Sequence, residues 1–231
     1  MTANIPEGMK VRLKDAYDAI ADKYNAVFTK PDDPVRINYL DILLSHLKPD
    51  VEGPVKILEL GCGAGVPATR HLLDIKGPLV HVTGNDLSTS QLELARSNLS
   101  GYEDRLTLVE GDMLALSFPD RSFDAVTGFY SIIHLPRDEQ TQLVQKITGW
   151  LKPGGLLLAN FAVQDSEATI LEKWLDEEKG WMYWSSWGEA GSVQMLEEAG
   201  FEILFRETKQ ITGDANFVWL LAQQKRALQA A

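Results

Sequence analysis

The sequence predicts an α/β chain built on a doubly wound, mostly parallel seven-stranded sheet with an antiparallel last strand. Two observations carry that expectation. From residue 55 onward, short apolar segments alternate with amphipathic ones, and strands alternating with helices give a parallel sheet with helices on both faces. Near the end of the chain, 201–210 and 217–223 both read as strands. Only the short loop 211–216 lies between them, a connection that permits an antiparallel pair but not a parallel one.

Two helices precede the sheet. Residues 8–28 carry Leu13, Tyr17, Ile20, Ala21, Tyr24 and Phe28 at three- and four-residue spacings, the mark of an amphipathic helix. The segment 29–34, with two prolines and two aspartates, breaks it. The helical pattern resumes over 35–47 through Leu40, Leu43, Leu44 and Leu47. The first strand, 55–60, runs into glycines, and a helix follows at 67–74. Strand 79–84 ends at Asn85-Asp86, and Ser88 is placed to N-cap a helix over 88–99. Strands at 105–109 and 123–129 come next, then a helix at 137–151. Lys152-Pro153-Gly154-Gly155 then turns into a fifth strand at 156–161. Helix 189–199 stops at Gly200, a good C-terminal stop. No repeat, low-complexity tract or linker divides the chain. Residues 1–231 therefore read as one domain, with 1–50 a helical cap and 163–188 an aromatic lid inserted after the fifth strand.

Composition narrows the partners. The chain is 45% hydrophobic and 24% charged, ordinary for a globular protein. Its 33 acidic residues face 22 basic ones, a net charge of -11. Nucleic-acid binding draws most of its affinity from Lys and Arg on phosphates, so no nucleic-acid partner is expected, nor an anionic membrane surface. No segment approaches the length of apolar sequence that spans a bilayer, and 1–14 lacks the apolar core of a signal peptide. Cys62 is the single cysteine, which excludes an internal disulfide and a cysteine-built metal site. A cytoplasmic monomer or homodimer acting on a small molecule, with no metal, is the expectation.

The chemistry gathers at the strand tips. Glycines at 61, 63 and 65 directly after a strand let the backbone turn tightly and approach a ligand. Asp86 ends the second strand, where a carboxylate can accept both hydroxyls of a ribose. Asp112 ends the third, placed to accept from an adenine amino group while Met113 covers the ring. All three tips face the crevice where open parallel sheets bind ligands.

These segments resemble the motifs of class I S-adenosylmethionine (SAM)-dependent methyltransferases. Glu59-Leu60-Gly61-Cys62-Gly63-Ala64-Gly65 is similar to that family's first motif, Asp86 to its ribose acid and Asp112-Met113 to its adenine pair. Leu151-Lys152-Pro153-Gly154-Gly155 matches the segment before strand five. The resemblance covers roughly residues 10–225 and extends to the closing hairpin, which implies a Rossmann-like methyltransferase fold. It also implies SAM as cofactor, bound by Tyr17, Tyr24, Glu59, Gly61, Cys62, Gly63, Asp86, Leu87, Gln91, Asp112, Met113 and Phe129. A nicotinamide dinucleotide fits less well. Its fingerprint needs a glycine where Val66 stands, and Glu59 would repel a pyrophosphate, whereas SAM offers an amino group and a positive sulfur. Cys62 has no basic neighbour in sequence and reads as a small residue tolerated in a crowded turn.

Tyr17-Asp18-Ala19-Ile20-Ala21-Asp22-Lys23-Tyr24 resembles the Tyr-x-x-x-Ala-x-x-Tyr segment that many small-molecule methyltransferases fold over the cofactor. The two tyrosines then cover the methionine end of SAM, or else serve as half-buried core residues at helical spacing. Beyond strand four, Phe129, Tyr130 and His134 stand near the reacting methyl group. His134 is either a general base or a cap for the loop before Pro136; His46, His71 and His81 lie on helices or away from the crevice. The insertion carries Trp174, Trp181, Met182, Tyr183, Trp184 and Trp187. Of these, Trp181, Tyr183, Trp184 and Trp187, with Tyr130 and His134, are the expected wall for an aromatic or apolar substrate, against the alternative of a lid that packs on the core. The expected function is methyl transfer to a small, aromatic or apolar metabolite by in-line displacement. The alternative is a non-catalytic SAM-binding partner or scaffold.

Overall fold

A computed structural model describes residues 5–48, 53–210 and 216–225. Two helices come first, α1 (Met9–Phe28) and α2 (Pro34–His46). Asp33 fixes the start of α2: its Oδ1 accepts from Val35 N at 2.8 Å and Arg36 N at 3.2 Å, and Pro34 occupies the first turn, where its missing N–H costs nothing. The strands and helices then alternate as β1 (Val55–Leu60), α3 (Ala68–Asp74), β2 (Val80–Asp86), α4 (Thr89–Asn98), β3 (Leu106–Glu110), β4 (Phe123–Gly128), α5 (Arg137–Trp150) and β5 (Leu151–Ala162). After β5 come β6 (Asp165–Leu171), β7 (Met182–Trp187), α6 (Gly188–Glu198), β8 (Phe201–Gln210) and β9 (Asn216–Gln224).

Seven strands form one sheet in the order β3-β2-β1-β4-β5-β9-β8. The pairs from β3 to β5 are parallel, and β9 enters antiparallel between β5 and β8. The chain reverses order at β1 and β4, and the crevice above their carboxyl ends is where such sheets take ligands. The expected architecture is the observed one. The connection 211–215 in the closing hairpin lies outside the described residues.

Two local features differ from expectation. The segment 152–155 belongs to β5 and is not a turn ahead of it: pairing runs from Phe123 to Leu151 and resumes only at Ala125 with Leu156, so the extra residues bulge out of the ladder. The insertion 163–188 contains an antiparallel two-stranded sheet of β6 and β7, which the aromatic run conceals in the sequence.

The core spans both flanks of the sheet, and Trp219 of β9 is its largest fully buried side chain. Its ring stacks on Tyr39 of α2 at 4.1 Å and meets Phe129 and Tyr130 at 5.3 and 5.7 Å. Tyr39 Oη in turn donates to Glu207 of β8 at 2.7 Å. This stack ties α2 and the closing hairpin to the tip of β4. Trp219→Ala is expected to lose about 3 to 5 kcal/mol of stability, the usual cost of deleting a buried indole, as a shift in the urea unfolding midpoint.

Candidate active site

The site begins with the turn between β1 and α3. Gly61, Gly63 and Gly65 have φ of 71°, 53° and 74°, a region that penalises any side chain. A Cβ on Gly65 would lie 2.5 Å from Leu99, and one on Gly61 would collide with Ser131. The turn is tied to the next strand. Gly61 N and Cys62 N both donate to Asn85 O at 2.8 Å, and Gly63 N donates to Asp86 Oδ2 at 2.8 Å. Asp86 Oδ1 accepts from Ser88 N at 2.9 Å. Burial raises the Asp86 pKa against the opposing pull of these backbone donors.

Ser88 caps α4 as expected, accepting from Gln91 N at 3.1 Å. Its hydroxyl also donates to Asp18 of α1 at 2.6 Å, and Ser90 N donates to the same oxygen at 3.0 Å. Asp18 thus completes the α4 cap from another helix. Along α1, Lys10 bridges Asp112 at 2.7 Å and Glu139 at 2.6 Å, Lys14 pairs with Asp18 and Glu110, and Asn25 Nδ2 donates to Gln91 Oε1 at 2.9 Å. α1 is therefore a roof across the strand tips.

Beneath it lies a cavity. The structure brings Tyr17, Tyr24, Gly61, Gly63, Asp86, Leu87, Gln91, Asp112, Met113, Phe129, Tyr130 and His134 to its walls. Lys10, Leu13, Gly111, Ser131 and Leu135 also line it, and sequence reasoning did not single them out. Asp112 is shared: Oδ2 takes Lys10, and Oδ1 takes Leu114 N at 2.9 Å.

Tyr130 sits at the tip of β4 with φ of 56°, an uncommon conformation for a bulky residue. Its N–H donates to Asn160 Oδ1 at 2.7 Å. Its ring packs against Phe217 at 4.9 Å, with the Arg36 guanidinium 4.8 Å from its centre.

Two expected cofactor residues do not reach the cavity. Glu59 is buried behind the turn, where Thr69 Oγ1 donates to its Oε2 at 2.5 Å. Cys62 is likewise buried, packed toward Gly84. Nor do the lid residues line it. Trp181, beneath the Arg12 guanidinium, and Tyr183 are buried with Met9, Leu13 and Ile20 of α1. Trp187 packs under Arg137 at 4.8 Å and donates to its carbonyl oxygen. Trp184 lies 5.9 Å from the His134 ring, behind it. The lid side chains hold the wall residues, and the apolar surface they bury explains their number.

Residues 57–155 match the sequence family described as a methyltransferase domain. A sterol 24-C-methyltransferase of Gibberella zeae is 31% identical over 176 residues, which are 71% of this chain and 44% of that one. The chain spans about half the length of the curated relatives it matches. Among solved structures, the Burkholderia thailandensis 1,6-didemethyltoxoflavin-N1-methyltransferase, with 1,6-didemethyltoxoflavin and S-adenosylhomocysteine bound, superimposes with a TM-score of 0.74. It is 17% identical, covering 97% of this chain and 92% of that one. The (4+2)-cyclase SpnF has the same fold, with a TM-score of 0.69 at 19% identity over 93% of this chain and 96% of its own. The matched domain and the shared fold support the resemblance to class I SAM-dependent methyltransferases that the strand-tip motifs carry.

Two buried groups titrate in opposite senses. Burial, opposed by the Thr69 hydrogen bond and Arg36, raises Glu59 from 4.5 to about 7. The folded protein keeps a proton there that the unfolded chain releases, so stability falls as pH rises through that window. Burial also lowers His134 from 6.5 to about 4. The unfolded chain takes up that proton first, so stability falls as pH drops through that window. Between about pH 5 and 6.5 the two slopes, each at most about 1.4 kcal/mol per pH unit, offset one another. Glu59→Gln is expected to make stability rise with pH there, and His134→Asn to make it fall. Urea midpoints across that range check both; two unchanged profiles would refute the assignment.

Proposed function

We propose that the cavity binds SAM and that the protein transfers its methyl group to a small, neutral, aromatic or apolar acceptor. The observation carrying this is the pairing of the glycine turn with Asp86 at the switch point of the sheet. The residues present fit the cofactor. The Asp86 oxygens each take one backbone donor and keep lone pairs for ribose hydroxyls. Gly63 leaves room for close approach, with only Gln91 Oε1 within 4 Å of where a Cβ would stand. Gln91 Nε2 is a buried donor with no acceptor among the described residues, on the same wall.

When bound, SAM supplies a methyl group already activated by its positive sulfur. The chain's own part is to position the acceptor and exclude water; holding two reactants in an attack geometry can supply roughly 7 to 11 kcal/mol. Phe129, Tyr130, Leu13 and Leu135 offer apolar surface to the acceptor. Among the described residues, the cavity's charged side chains are Lys10, Asp86 and Asp112; Lys10 and Asp112 pair with each other, and Asp86 is given to the ribose. That leaves no charge to recognise an ionic acceptor, which supports a neutral one. Two of the similar proteins are named for ring systems of this kind, sterol and 1,6-didemethyltoxoflavin, while a third is named for phosphoethanolamine, which is charged and acyclic.

His134 is not the base in this reading. Its Nε2 is engaged by Tyr17 Oη at 2.9 Å, and the lowered pKa leaves it little basicity. The rate is therefore expected to show no inflection attributable to an imidazole between about pH 5.5 and 7.5, once an acceptor is found by screening phenols, amines and thiols. In calorimetry, Asp86→Ala is expected to weaken SAM binding by about 1.5 to 3 kcal/mol, the scale for hydrogen bonds involving a charged group. Unchanged affinity would remove the ribose assignment, and absence of SAM binding in the unmodified protein would remove the function.

A further inference from the structure

A second pocket, of about 400 Å³, lies under the carboxyl-terminal half of α1, a volume within the usual range for small-ligand sites. Asp22 and Asn25 of α1, Ala64 of the glycine turn, Arg70 of α3, and Leu94 and Asn98 of α4 stand in its walls. None of its lining residues lines the cavity described above: Gly61 and Gly63 border that cavity, and Ala64 borders this pocket. α4 leaves the strand tips at Ser88, so Leu94 and Asn98 stand roughly 9 and 15 Å farther along its axis. The pocket is therefore set back from the crevice in which Asp86 lies.

Hydrogen bonds within the chain hold its walls together. Arg70 Nη2 donates to Asn98 O, and Asn98 Nδ2 donates to Ala64 O at 3.0 Å. Asn25 Nδ2 donates to Ala21 O at 2.7 Å and to Gln91 Oε1 at 2.9 Å. These bonds leave groups of opposite character unused. A guanidinium has five N–H donors. Among the described residues, the Arg70 side chain spends one on Asn98 O, and its buried Nε has no acceptor. The exposed Asp22 carboxylate has no ion-pair or hydrogen-bond partner among the described residues, and Asn25 Oδ1 is buried without a donor.

A cation and an anion thus border one pocket without pairing with each other. Arg70 suits a carboxylate, which a guanidinium grips through parallel charge-assisted hydrogen bonds. Asp22 and Asn25 Oδ1 suit a charged donor. Ala64 and Leu94 offer apolar surface for the methylenes that join the two ends of such a ligand.

We propose that this pocket is a second ligand site, taking a small zwitterion whose carboxylate meets Arg70 and whose ammonium group meets Asp22. The site uses neither the glycines nor Asp86, so it stands apart from the methyl-transfer reading.

Ligand-observed NMR and calorimetry on the full chain test it, with glycine, β-alanine, γ-aminobutyrate and ε-aminocaproate as probes of increasing charge separation. Butyrate and butylamine, with one charge each, are the controls. At least one zwitterion is expected to bind about tenfold or more tightly than both controls, the scale of a hydrogen bond to a charged group. Asp22→Asn, at an exposed position, should bring that zwitterion to within about twofold of butyrate, and Arg70→Met to within about twofold of butylamine. Should Arg70→Met fail to fold, Asp22→Asn decides alone. Binding should persist in saturating S-adenosylhomocysteine. No preference for any zwitterion, a preference that survives Asp22→Asn, or displacement by S-adenosylhomocysteine overturns the proposal. Failure of S-adenosylhomocysteine itself to bind counts against the cofactor reading instead, and the variants then decide this one.

Discussion

The backbone hydrogen bonds that tie the glycine turn to the tip of β2 set the positions of everything around them. Three consecutive N–H groups, of Gly61, Cys62 and Gly63, are committed to Asn85 and Asp86. That commitment holds the turn in a left-handed course, faces Asp86 into the cavity and fixes where α4 starts. Asn85 extends the tie outward by donating to Val109 O and Gly111 O, so the tip of β3 is held by the same residue pair. Ser131 closes the opposite side by donating to Leu60 O at 2.6 Å. Three strand tips thereby share one polar frame.

The sheet and its floor were legible because their determinants are local. The β1 glycines, the acids at strand ends and the Ser88 cap each announce themselves within a few residues. The parallel order follows from alternation and the antiparallel pairing of β8 with β9 from a loop too short for a crossover, whereas the insertion of β9 was implied by the family resemblance. The roof was only half legible. The spacing of Tyr17 and Tyr24 showed which face of α1 turns inward, but nothing nearby shows that Lys10 pairs with Asp112 and Glu139. Likewise, the role of His134 depends on partners 117 and 49 residues away. The aromatic lid misled for a related reason. Four tryptophans look like a binding surface when counted, whereas their faces are occupied by Arg12, Arg137, α1 and the His134 ring. β6 escaped notice because its residues are mostly polar and exposed, without the alternation of a half-buried strand.

Fold and chemistry separate cleanly at this point. The same fold underlies a cyclase and an N-methyltransferase among the solved structures, so the fold alone leaves the reaction open. What narrows it is the character of the walls. One end of the cavity is polar and built on main-chain geometry; the other is aromatic and has no charge left over. On the proposed methyl-transfer reading, this division serves to orient and enclose two ligands, with little acid–base capacity required.

The roof also has a consequence for the order in which the molecule is assembled. α1 leaves the ribosome ahead of the sheet, yet the residues that receive it come much later in the chain: Ser88 is 70 residues beyond Asp18, Asp112 lies 102 beyond Lys10, and His134 lies 117 beyond Tyr17. Contacts between such distant segments carry a large loop-closure cost and form slowly. During synthesis, α1 must wait, its apolar face exposed, until most of the sheet has emerged to receive it. A helix that precedes the sheet in the chain is thus completed only by residues that follow far behind it.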